Sequence, residues 1–448
     1  MQCTFIFRRD LRLHDNTCLL RALQKCDEVV PLFILDPRQV GDNPYKSPFA
    51  LGFMYASLME LDQELGERGS RLYVVKGVAE DVVAHLRSER LYFNEDYTPF
   101  SQMRDSKIRE RFRGEVISCE DLLITKKEFF VRKGRPYSVF THFYNEARKL
   151  TVDKPRKNTF NNFANVNLPG VELLESLRDQ IRESVIPGGR SAGLRALEKA
   201  RMINYEKRNF PGTEGTTRLS PYLKFGVLSP REVYYQVNEE IQRQLYWRDF
   251  YTLLAYYNPH VFGHSYRREY DCIKWDNNEV HFELWKQGKT GYPIVDAGMR
   301  ELNTTGFMHN RARMITASFL VKVLHVDWRE GERYFATKLV DYDPSVNNGN
   351  WQWVASTGAD YMFRVFNPWI QQRKFDPEAV YVKKWVPELR ELSPEAIHEI
   401  YKHKVPGYPS PIIDYAEEVK KARRYYEESR ALCEGERKNF KLSDFKTT

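Results

Sequence analysis

The chain has 448 residues, of which 42% are hydrophobic and 29% are charged, so we expect a folded protein of two domains and exclude a disordered one. Its formal net charge of +8 favours an anionic partner such as nucleic acid. The chain has no run of about eighteen uncharged apolar residues, and no basic segment followed by an apolar one at its N-terminus. We therefore expect no membrane span, no signal peptide and a cytoplasmic location.

The first 128 residues alternate short apolar runs with stretches of helical length. This alternation is typical of a parallel sheet with helices on both faces. No G-x-G-x-x-G motif follows the first run, so we predict a Rossmann-like architecture without the ordinary dinucleotide fingerprint. The predicted strands are residues 3–7, 29–35, 72–75 and 91–93.

Beyond residue 128 the pattern changes twice. Residues 129–189 contain polar, Pro-bearing and Gly-bearing stretches that break the periodicity, and we interpret them as an interdomain linker. From 190 to 448 the apolar residues recur at helical spacing almost everywhere, so we predict an all-α second domain.

Six cysteines are scattered without any C-x-x-C spacing, which argues against a zinc cluster and against a disulfide framework. We therefore expect reduced thiols and no metal site. The six are Cys3, Cys18, Cys26, Cys119, Cys272 and Cys433.

Seven sequence motifs follow one another from the start of the chain to its last quarter. The motif FRRDLRLHDN at 7–16 is followed by EGTTRLSPYL at 214–223 and WRDFY at 247–251. Further along come TGYPIVDAGMR at 290–300, MHNRARM at 308–314, DWREGE at 327–332 and NNGNWQW at 347–353. Together these motifs resemble the photolyase and cryptochrome family. Any one motif would be weak evidence, but their order, spacing and extent make the resemblance specific.

The resemblance implies an α/β antenna-binding domain at 1–128, a linker at 129–189 and an all-helical domain at 190–448 that binds FAD and DNA. The implied activity is the light-driven repair of cyclobutane pyrimidine dimers, in which excited reduced FAD passes an electron to a dimer flipped out of the DNA. We expect a monomer that binds dimer-containing DNA and no membrane.

The family's FAD contacts also map onto this sequence. Hydroxyl and N–H groups beside a helix start at Ser220 suit a diphosphate, although the same residues could simply cap the helix. Arg313 and Asp341 match a pair beside the flavin ring, and such a buried pair is often only structural. The full set is Tyr205, Thr216, Thr217, Arg218, Leu219, Ser220, Arg313, Asp341, Asp343 and Asn347.

Asn347 matches the position that faces the redox-active nitrogen of the flavin. Its amide can accept a hydrogen bond from the reduced flavin and donate one to the oxidised form. Plant cryptochromes carry Asp at this position and many animal cryptochromes carry Cys, so Asn indicates a repair enzyme. An Asn-Asn-Gly sequence is also a common turn, and both interpretations can hold together.

Three tryptophans match the family's relay of electrons from the surface to the flavin. Six of the eight tryptophans fall between positions 247 and 353, where each alone would be expected in a core. The match at all three positions favours the relay, whose members are Trp275, Trp328 and Trp351.

The lesion pocket is expected to have two walls. Gln244, Trp247 and Tyr251 are spaced to share one helical face, and Trp353 matches the opposite wall. The remaining pocket and DNA positions are Asn310, Arg311, Met314 and Gln371. Six-four photolyases carry histidines where this chain has Asn310 and Met314, so we expect the cyclobutane dimer as substrate.

Two positions depart from the family pattern. Gln244 replaces the usual pocket Glu, so it can hydrogen-bond the dimer but offers neither a charge nor a carboxylic proton. Thr98 stands where folate-binding relatives carry Glu, which favours a deazaflavin or a second flavin over folate as the antenna. Two other functions remain open, a cryptochrome-like photoreceptor and a flavoprotein without photochemistry. Asn347 and the absence of a long polar tail, with only a charged stretch from about Glu417, disfavour the photoreceptor.

Overall fold

The computed structural model describes residues 1–360 and 362–443. The chain divides into two compact units, each built from segments that are separated in the sequence. Unit 1 comprises Met1–Tyr205, Thr216–Pro259 and Ala336–Val346, and unit 2 comprises the rest of the chain.

Unit 1 contains a five-stranded parallel sheet with the strand order β3-β2-β1-β4-β5. Its strands are β1 (Gln2–Phe7), β2 (Glu28–Leu35), β3 (Tyr73–Lys76), β4 (Arg90–Asn94) and β5 (Glu115–Cys119). The sequence predicts the first four strands. They can be recognised because parallel strands are buried on both faces and therefore consist of continuous apolar runs. The pattern misses β5, whose residues are mostly half-buried at the sheet edge.

Ten helices and a small antiparallel hairpin complete unit 1. Several helices begin at a polar cap followed by proline, as at Ser47 and Thr98, whose side chains accept hydrogen bonds from the first turn. The helices are α1 (Thr17–Lys25), α2 (Pro37–Val40), α3 (Pro48–Gly66), α4 (Ala79–Ala84), α5 (Pro99–Arg111), α6 (Phe140–Ala147), α7 (Arg190–Met202), α8 (Ser220–Lys224), α9 (Pro230–Tyr234) and α10 (Glu239–Tyr257). The hairpin strands are β6 (Val131–Arg132) and β7 (Arg135–Pro136), and 3-10 helices lie at Lys127–Phe130 and Val171–Gln180.

The stretch before α7 is attached to the sheet. The backbone N–H of Val29 donates to Asn162 O (3.0 Å), and Ala164 N–H donates back to Val29 O (2.8 Å). Further along, Val74 N–H donates to Pro169 O (2.9 Å). Residues 162–169 therefore run beside β2 and the edge strand β3.

Unit 2 is helical, as the sequence predicts. Four of its helical segments have end residues that belong to unit 1, namely Tyr205, Pro259, Ala336 and Pro344–Val346. Its helices are α11 (Glu279–Gln287), α12 (Pro293–Thr305), α13 (Asn310–Lys322), α14 (Trp328–Ala336), α15 (Pro344–Ala355), α16 (Pro368–Phe375), α17 (Val380–Trp385), α18 (Pro394–His398) and α19 (Tyr415–Ser443). Short 3-10 helices lie at Tyr205–Asn209, Pro259–Val261, Arg268–Tyr270, Pro387–Leu389 and Ile400–Lys402. Gly288 and Gly306 end α11 and α12 at φ of 65° and 71°, a left-handed conformation that glycine adopts without strain.

The prediction of reduced thiols is wrong. The six cysteines form three disulfides, Cys3–Cys26, Cys18–Cys119 and Cys272–Cys433. Their partners are 23, 101 and 161 residues apart, so the fold brings them together and no local spacing motif could reveal them.

Within the described residues, no helix combines the length and the apolar content needed to cross a bilayer. The same residues contain no group of three or more His, Cys, Asp or Glu side chains arranged to hold a metal ion.

Candidate functional site

The loop that leads into α8 in unit 1 has the backbone conformation of an anion-binding nest. Arg218 has φ of 52°, in the left-handed region, and Leu219 follows at φ −81° and ψ −11°. This alternation turns successive N–H groups into a concave nest that binds anions such as phosphates. Thr217 supports the turn, because its Oγ1 accepts a hydrogen bond from Leu219 N–H (3.4 Å). The backbone of the loop thus has a shape that suits a phosphate group, and its contact with the diphosphate of FAD stays a prediction.

Ser220 does not cap its helix. The N-cap of α8 is Leu219, which makes no side-chain cap bond, and Ser220 Oγ instead donates to Asp341 Oδ2 (2.6 Å). Two of the predicted FAD contacts are thus joined within unit 1. Tyr205 and Thr216, also in unit 1, are half-buried.

Asp343 is held by the opening signature of the chain. Arg9 donates to Asp343 through Nη2 and to Asp96 through Nη1 (3.2 Å), so it links both carboxylates. Burial alone would raise the pKa of Asp343, but the positive charges of Arg9, Arg248 and Lys224 outweigh it and lower that pKa. The Asp343 carboxylate is therefore ionised, and it also accepts from two N–H groups at the start of α15.

Asn347, in unit 2, has a fixed amide orientation. Its Nδ2 donates to both the backbone oxygen (3.2 Å) and Oε1 (3.0 Å) of Glu332. The nitrogen is therefore occupied, and the amide oxygen is the atom left to act as a hydrogen-bond acceptor. The place of Asn347 beside the flavin stays a prediction.

Arg313 is positioned by unit 2 itself. Its Nε donates to Met308 O (2.7 Å), and its guanidinium lies 5.1 Å from the centre of the Phe307 ring. The pairing of Arg313 with Asp341 stays a prediction.

The three relay tryptophans differ in exposure. Trp328 and Trp351 are 1% and 2% exposed, whereas Trp275 is half-buried. Trp351 packs edge-on against Phe335, with ring centres 4.8 Å apart, and Trp275 lies edge-on to Tyr426 at 6.2 Å. This gradient of burial is what a path from the interior to the surface requires, although the relay itself stays a prediction.

In unit 1, Trp247 forms a rigid aromatic platform on α10. The ring of Phe140 stacks on the Trp247 indole with centres 3.5 Å apart and planes 7° from parallel. Tyr251 stacks beside it at 5.5 Å, and Trp247 remains half-buried. Gln244 is exposed, and its Nε2 donates to Glu240 O (3.3 Å). Trp247 and Tyr251 are thus in contact on α10, and one indole face is backed by Phe140, whereas the shared pocket face with Gln244 stays a prediction.

In unit 2, the remaining pocket residues form two contacting pairs. Asn310 Nδ2 lies 3.7 Å from Met314 Sδ, one turn apart on α13. Arg311 donates to Gln371 Oε1 (3.4 Å) and to Asn209 Oδ1 (2.8 Å).

Trp353, the predicted second wall, lies in unit 2 beside Phe366, with ring centres 6.0 Å apart. The guanidinium of Arg364 stands 4.6 Å over the indole. Arg364 is itself held by Asp360 at 2.7 Å, so the indole carries a fixed cation on its ring.

Three positioning residues were not found from the sequence. Phe140 backs Trp247 from 107 positions away, Glu332 orients Asn347, and Asn209 holds Arg311. Glu332 belongs to the DWREGE motif and could have been suspected. Phe140 and Asn209 carry no sequence signal, because their partners are distant in the chain.

Known proteins match this chain over nearly its full length. Residues 4–159 match the family model for DNA photolyase, and residues 241–428 match that for the FAD binding domain of DNA photolyase. The deoxyribodipyrimidine photo-lyase of Escherichia coli is 36% identical over 468 residues, which cover 95% of this chain and 98% of that protein.

Two solved structures extend the comparison. An archaeal photolyase from Sulfolobus tokodaii, described with two FAD molecules, is 55% identical with a TM-score of 0.92, covering 96% of this chain and all of that one. A cryptochrome from Synechocystis is 27% identical with a TM-score of 0.87, covering 95% and 99% of the two chains. These matches show that the chain belongs to the DNA photolyase family.

Proposed function

We propose that this protein repairs cyclobutane pyrimidine dimers in DNA by light-driven electron transfer from FAD. The observation that carries the proposal is the amide of Asn347, whose nitrogen is occupied by Glu332 and whose oxygen is left as an acceptor. This arrangement favours a reduced flavin, which repair needs, over the oxidised resting flavin of a photoreceptor. Relatives named deoxyribodipyrimidine photo-lyase over 95% of the chain support the same choice.

Reduced FAD, when bound and excited by light, supplies the single electron that opens the cyclobutane ring. The nest at Arg218 and Leu219 would hold the diphosphate, and the cation of Arg313 would favour the anionic form of the reduced ring. Asn347 would offer its amide oxygen as a hydrogen-bond acceptor to that form. Trp275, Trp328 and Trp351 would supply electrons from the surface to keep the cofactor reduced.

Trp328 is suited to an intermediate place in this relay. Its indole nitrogen is buried and has no hydrogen-bond acceptor among the described residues. An oxidised Trp328 would therefore keep its proton, and the missing electron would be filled from the next tryptophan rather than trapped on Trp328.

The flipped dimer stacks on Trp247, whose opposite face is covered by Phe140. Phe140 stops the indole from turning away, so the platform is formed before the DNA binds. Gln244 hydrogen-bonds the base edge. Asn310 and Met314 offer no proton donor like the histidines of six-four photolyases, so the cyclobutane dimer is the proposed substrate.

We propose a second FAD as the antenna. The Sulfolobus tokodaii relative is described with two FAD molecules. Strand order reverses at β1 in the sheet, and ligands of such sheets bind at the carboxyl ends of the strands beside that point. There, Arg8 Nη2 and Arg104 Nη2 are buried without a partner among the described residues, so both can donate to an anionic cofactor. Two FAD per chain, measured by absorbance after denaturation, is the expected result, and one would remove the proposal.

The test of the repair function is direct. Purified protein with reduced FAD is mixed with an oligonucleotide that carries one cyclobutane dimer, under blue light and in darkness. We expect intact pyrimidines to appear only in the light. Photoreduction of the flavin with no loss of dimers, in protein that binds the oligonucleotide, would favour the photoreceptor instead.

A further inference from the structure

The hairpin formed by β6 and β7 has an unfavourable charge arrangement for a structural element. Its loop consists of Lys133 and Gly134, both with positive φ (50° and 75°), which is the backbone of a tight two-residue hairpin turn. Across the two strands Arg132 stands directly opposite Arg135. Like charges at directly opposite positions destabilise a strand pair, so folding alone does not account for these side chains.

No other group in the described part of the chain neutralises the hairpin. The exposed side chains of Arg132, Lys133 and Arg135 form neither an ion pair nor a hydrogen bond with any described residue. The pKa of Glu146 is lowered chiefly by Lys149, with which it pairs at 3.0 Å, and only weakly by the charge of Arg132. The hairpin therefore presents three cations to solvent.

The same residues line a pocket of about 500 Å³ that also contains hydroxyl groups and a histidine. Its lining consists of Arg132, Lys133, Arg135, Pro136, Tyr137, Ser138, Val139 and His142. Guanidinium forks, an ammonium group and hydroxyls are the donors that recognise phosphate oxygens. Carboxylates do not contribute to the lining, so the pocket suits an anion.

The pocket adjoins the aromatic platform of unit 1. Val139, in the pocket lining, is followed directly by Phe140, whose ring stacks on Trp247. Arg243, exposed on α10, lies over the same Phe140 ring at 5.6 Å and extends the positive surface. A DNA strand carries one phosphate about every 3.4 Å of its axis, so a strand whose base stacks on Trp247 also carries phosphates that suit the cationic surface next to this platform.

We propose that the hairpin Val131–Pro136 and its pocket bind backbone phosphates of the DNA strand beside the lesion. The inference rests on the proposed DNA-repair function and adds a DNA-binding surface to it. The hairpin gives affinity without sequence or lesion preference, since phosphates are the same in damaged and intact DNA. Recognition of the dimer is left to the Trp247 platform.

The test compares two triple variants in the full-length protein with FAD bound. Arg132→Gln/Lys133→Gln/Arg135→Gln removes the hairpin charges. Arg21→Gln/Lys76→Gln/Arg87→Gln removes the same number from exposed cations on α1, on β3 and just before β4, which have no ion pair in the described residues. Dissociation constants for undamaged and dimer-containing duplexes are measured between about 50 and 200 mM salt. Thermal unfolding checks that both variants fold.

For the hairpin variant we expect binding to both duplexes to weaken roughly tenfold at low salt. The slope of log Kd against log salt should fall by about 1 to 2 units, with the damaged-to-undamaged ratio kept. The control should lose much less. Equal losses in the two variants, or an unchanged slope in the hairpin variant, would overturn the proposal.

Two further results separate this proposal from others. Suppose that the parent binds inorganic phosphate and that the hairpin variant loses this binding but keeps its DNA affinity. The pocket would then be a site for a small anion, and the proposed DNA contact would be overturned. Absence of dimer repair or of lesion preference in the parent would contradict the proposed function, whereas the hairpin is judged by the salt slope on undamaged DNA.

Discussion

We expect the preference of the flavin for its reduced state to depend on the carboxamide of Asn347. In Asn347→Asp we expect FAD to remain bound but its reduced form to be oxidised in air roughly tenfold faster, with slower repair. The reason is that a carboxylate beside the ring opposes the added negative charge. The measurement is the decay of reduced-flavin absorbance after exposure to air. Glu332→Gln keeps an acceptor for Asn347 Nδ2 and should behave like the parent, and an unaltered lifetime in Asn347→Asp would refute the placement of Asn347.

Trp247 is expected to read the lesion. Trp247→Ala should weaken binding to dimer-containing DNA by about 1–3 kcal/mol, because an aromatic face stacked on an extruded base contributes that much. Binding to undamaged DNA and its salt slope should change little, since phosphate contacts carry them. Titrations of both duplexes measure the ratio. Arg311→Ala is the mirror control and should lower the slope more than the ratio, and full discrimination by Trp247→Ala would exclude the platform.

Asp249 makes stability depend on pH. Burial raises its pKa to about 7, and the opposing effects of Arg248 and Thr125 N–H do not compensate. Between about pH 4 and pH 7 the folded chain thus holds a proton that the unfolded chain has released. The contribution of the neutral Asp249 carboxyl to folding stability is fully present below pH 4 and is lost as the pH rises through 7.

Asp249→Asn should remove this dependence, because an amide can accept from Thr125 N–H without a charge. From pH 4 to pH 8, the free energy of unfolding of the variant should rise relative to that of the parent by up to about 4 kcal/mol. Denaturant unfolding at both pH values measures it. Asp10, with a pKa raised to about 6, is present in both proteins and cancels in the difference. Parallel pH profiles would show that Asp249 is ionised in the folded state.

At the scale of elements, α14 places Trp328 in the proposed relay. Trp328→Phe should slow photoreduction of oxidised FAD by an external donor at least tenfold, because phenylalanine is much harder to oxidise than indole. Repair should be intact once the flavin has been reduced chemically. Flavin absorbance under blue light follows the first quantity and dimer loss the second. Equal photoreduction in the variant and the parent would remove Trp328 from the relay.

The helix α19 is fastened by more than its disulfide. Cys433→Ser opens the Cys272–Cys433 bond, which closes a loop of 161 residues, and should lower stability by about 2–5 kcal/mol. Tyr426 remains buried against Tyr270, and Lys421 remains paired with Asp276 at 2.5 Å. We therefore expect a lower Tm with unchanged repair at room temperature. Adding a reductant should lower the Tm of the parent. A variant with the same Tm as the untreated parent would contradict this account.

Elements were predictable where the signal is local. The first four strands read as buried apolar runs, and the helix that carries Trp247 follows from the spacing of its apolar residues. Contacts across the chain were not predictable, because each depends on the whole fold. The stacking of Phe140 on Trp247 and the Cys18–Cys119 bond join residues about a hundred positions apart.

For the molecule as a whole, the fold class followed from sequence periodicity and from the family resemblance, and the structure confirms it. The redox state of the cysteines did not follow. Disulfides are common in oxidising compartments and also in intracellular proteins of hyperthermophiles, so three of them are compatible with the predicted cytoplasmic location. The spacing rule considers only the separation of cysteines along the chain, whereas disulfide pairing depends on their distance in the folded protein.

The hydrogen bonds from residues 162–169 to the sheet bear on where a recombinant fragment of the N-terminal half should end. A recombinant fragment that stops at residue 128 would leave Val74, on the edge strand, without its partner Pro169. Exposed strand edges recruit other strands, so such a fragment should precipitate or form oligomers. A fragment that continues to Gly189 brings its own edge cover and is the sounder choice for studying an antenna chromophore in isolation.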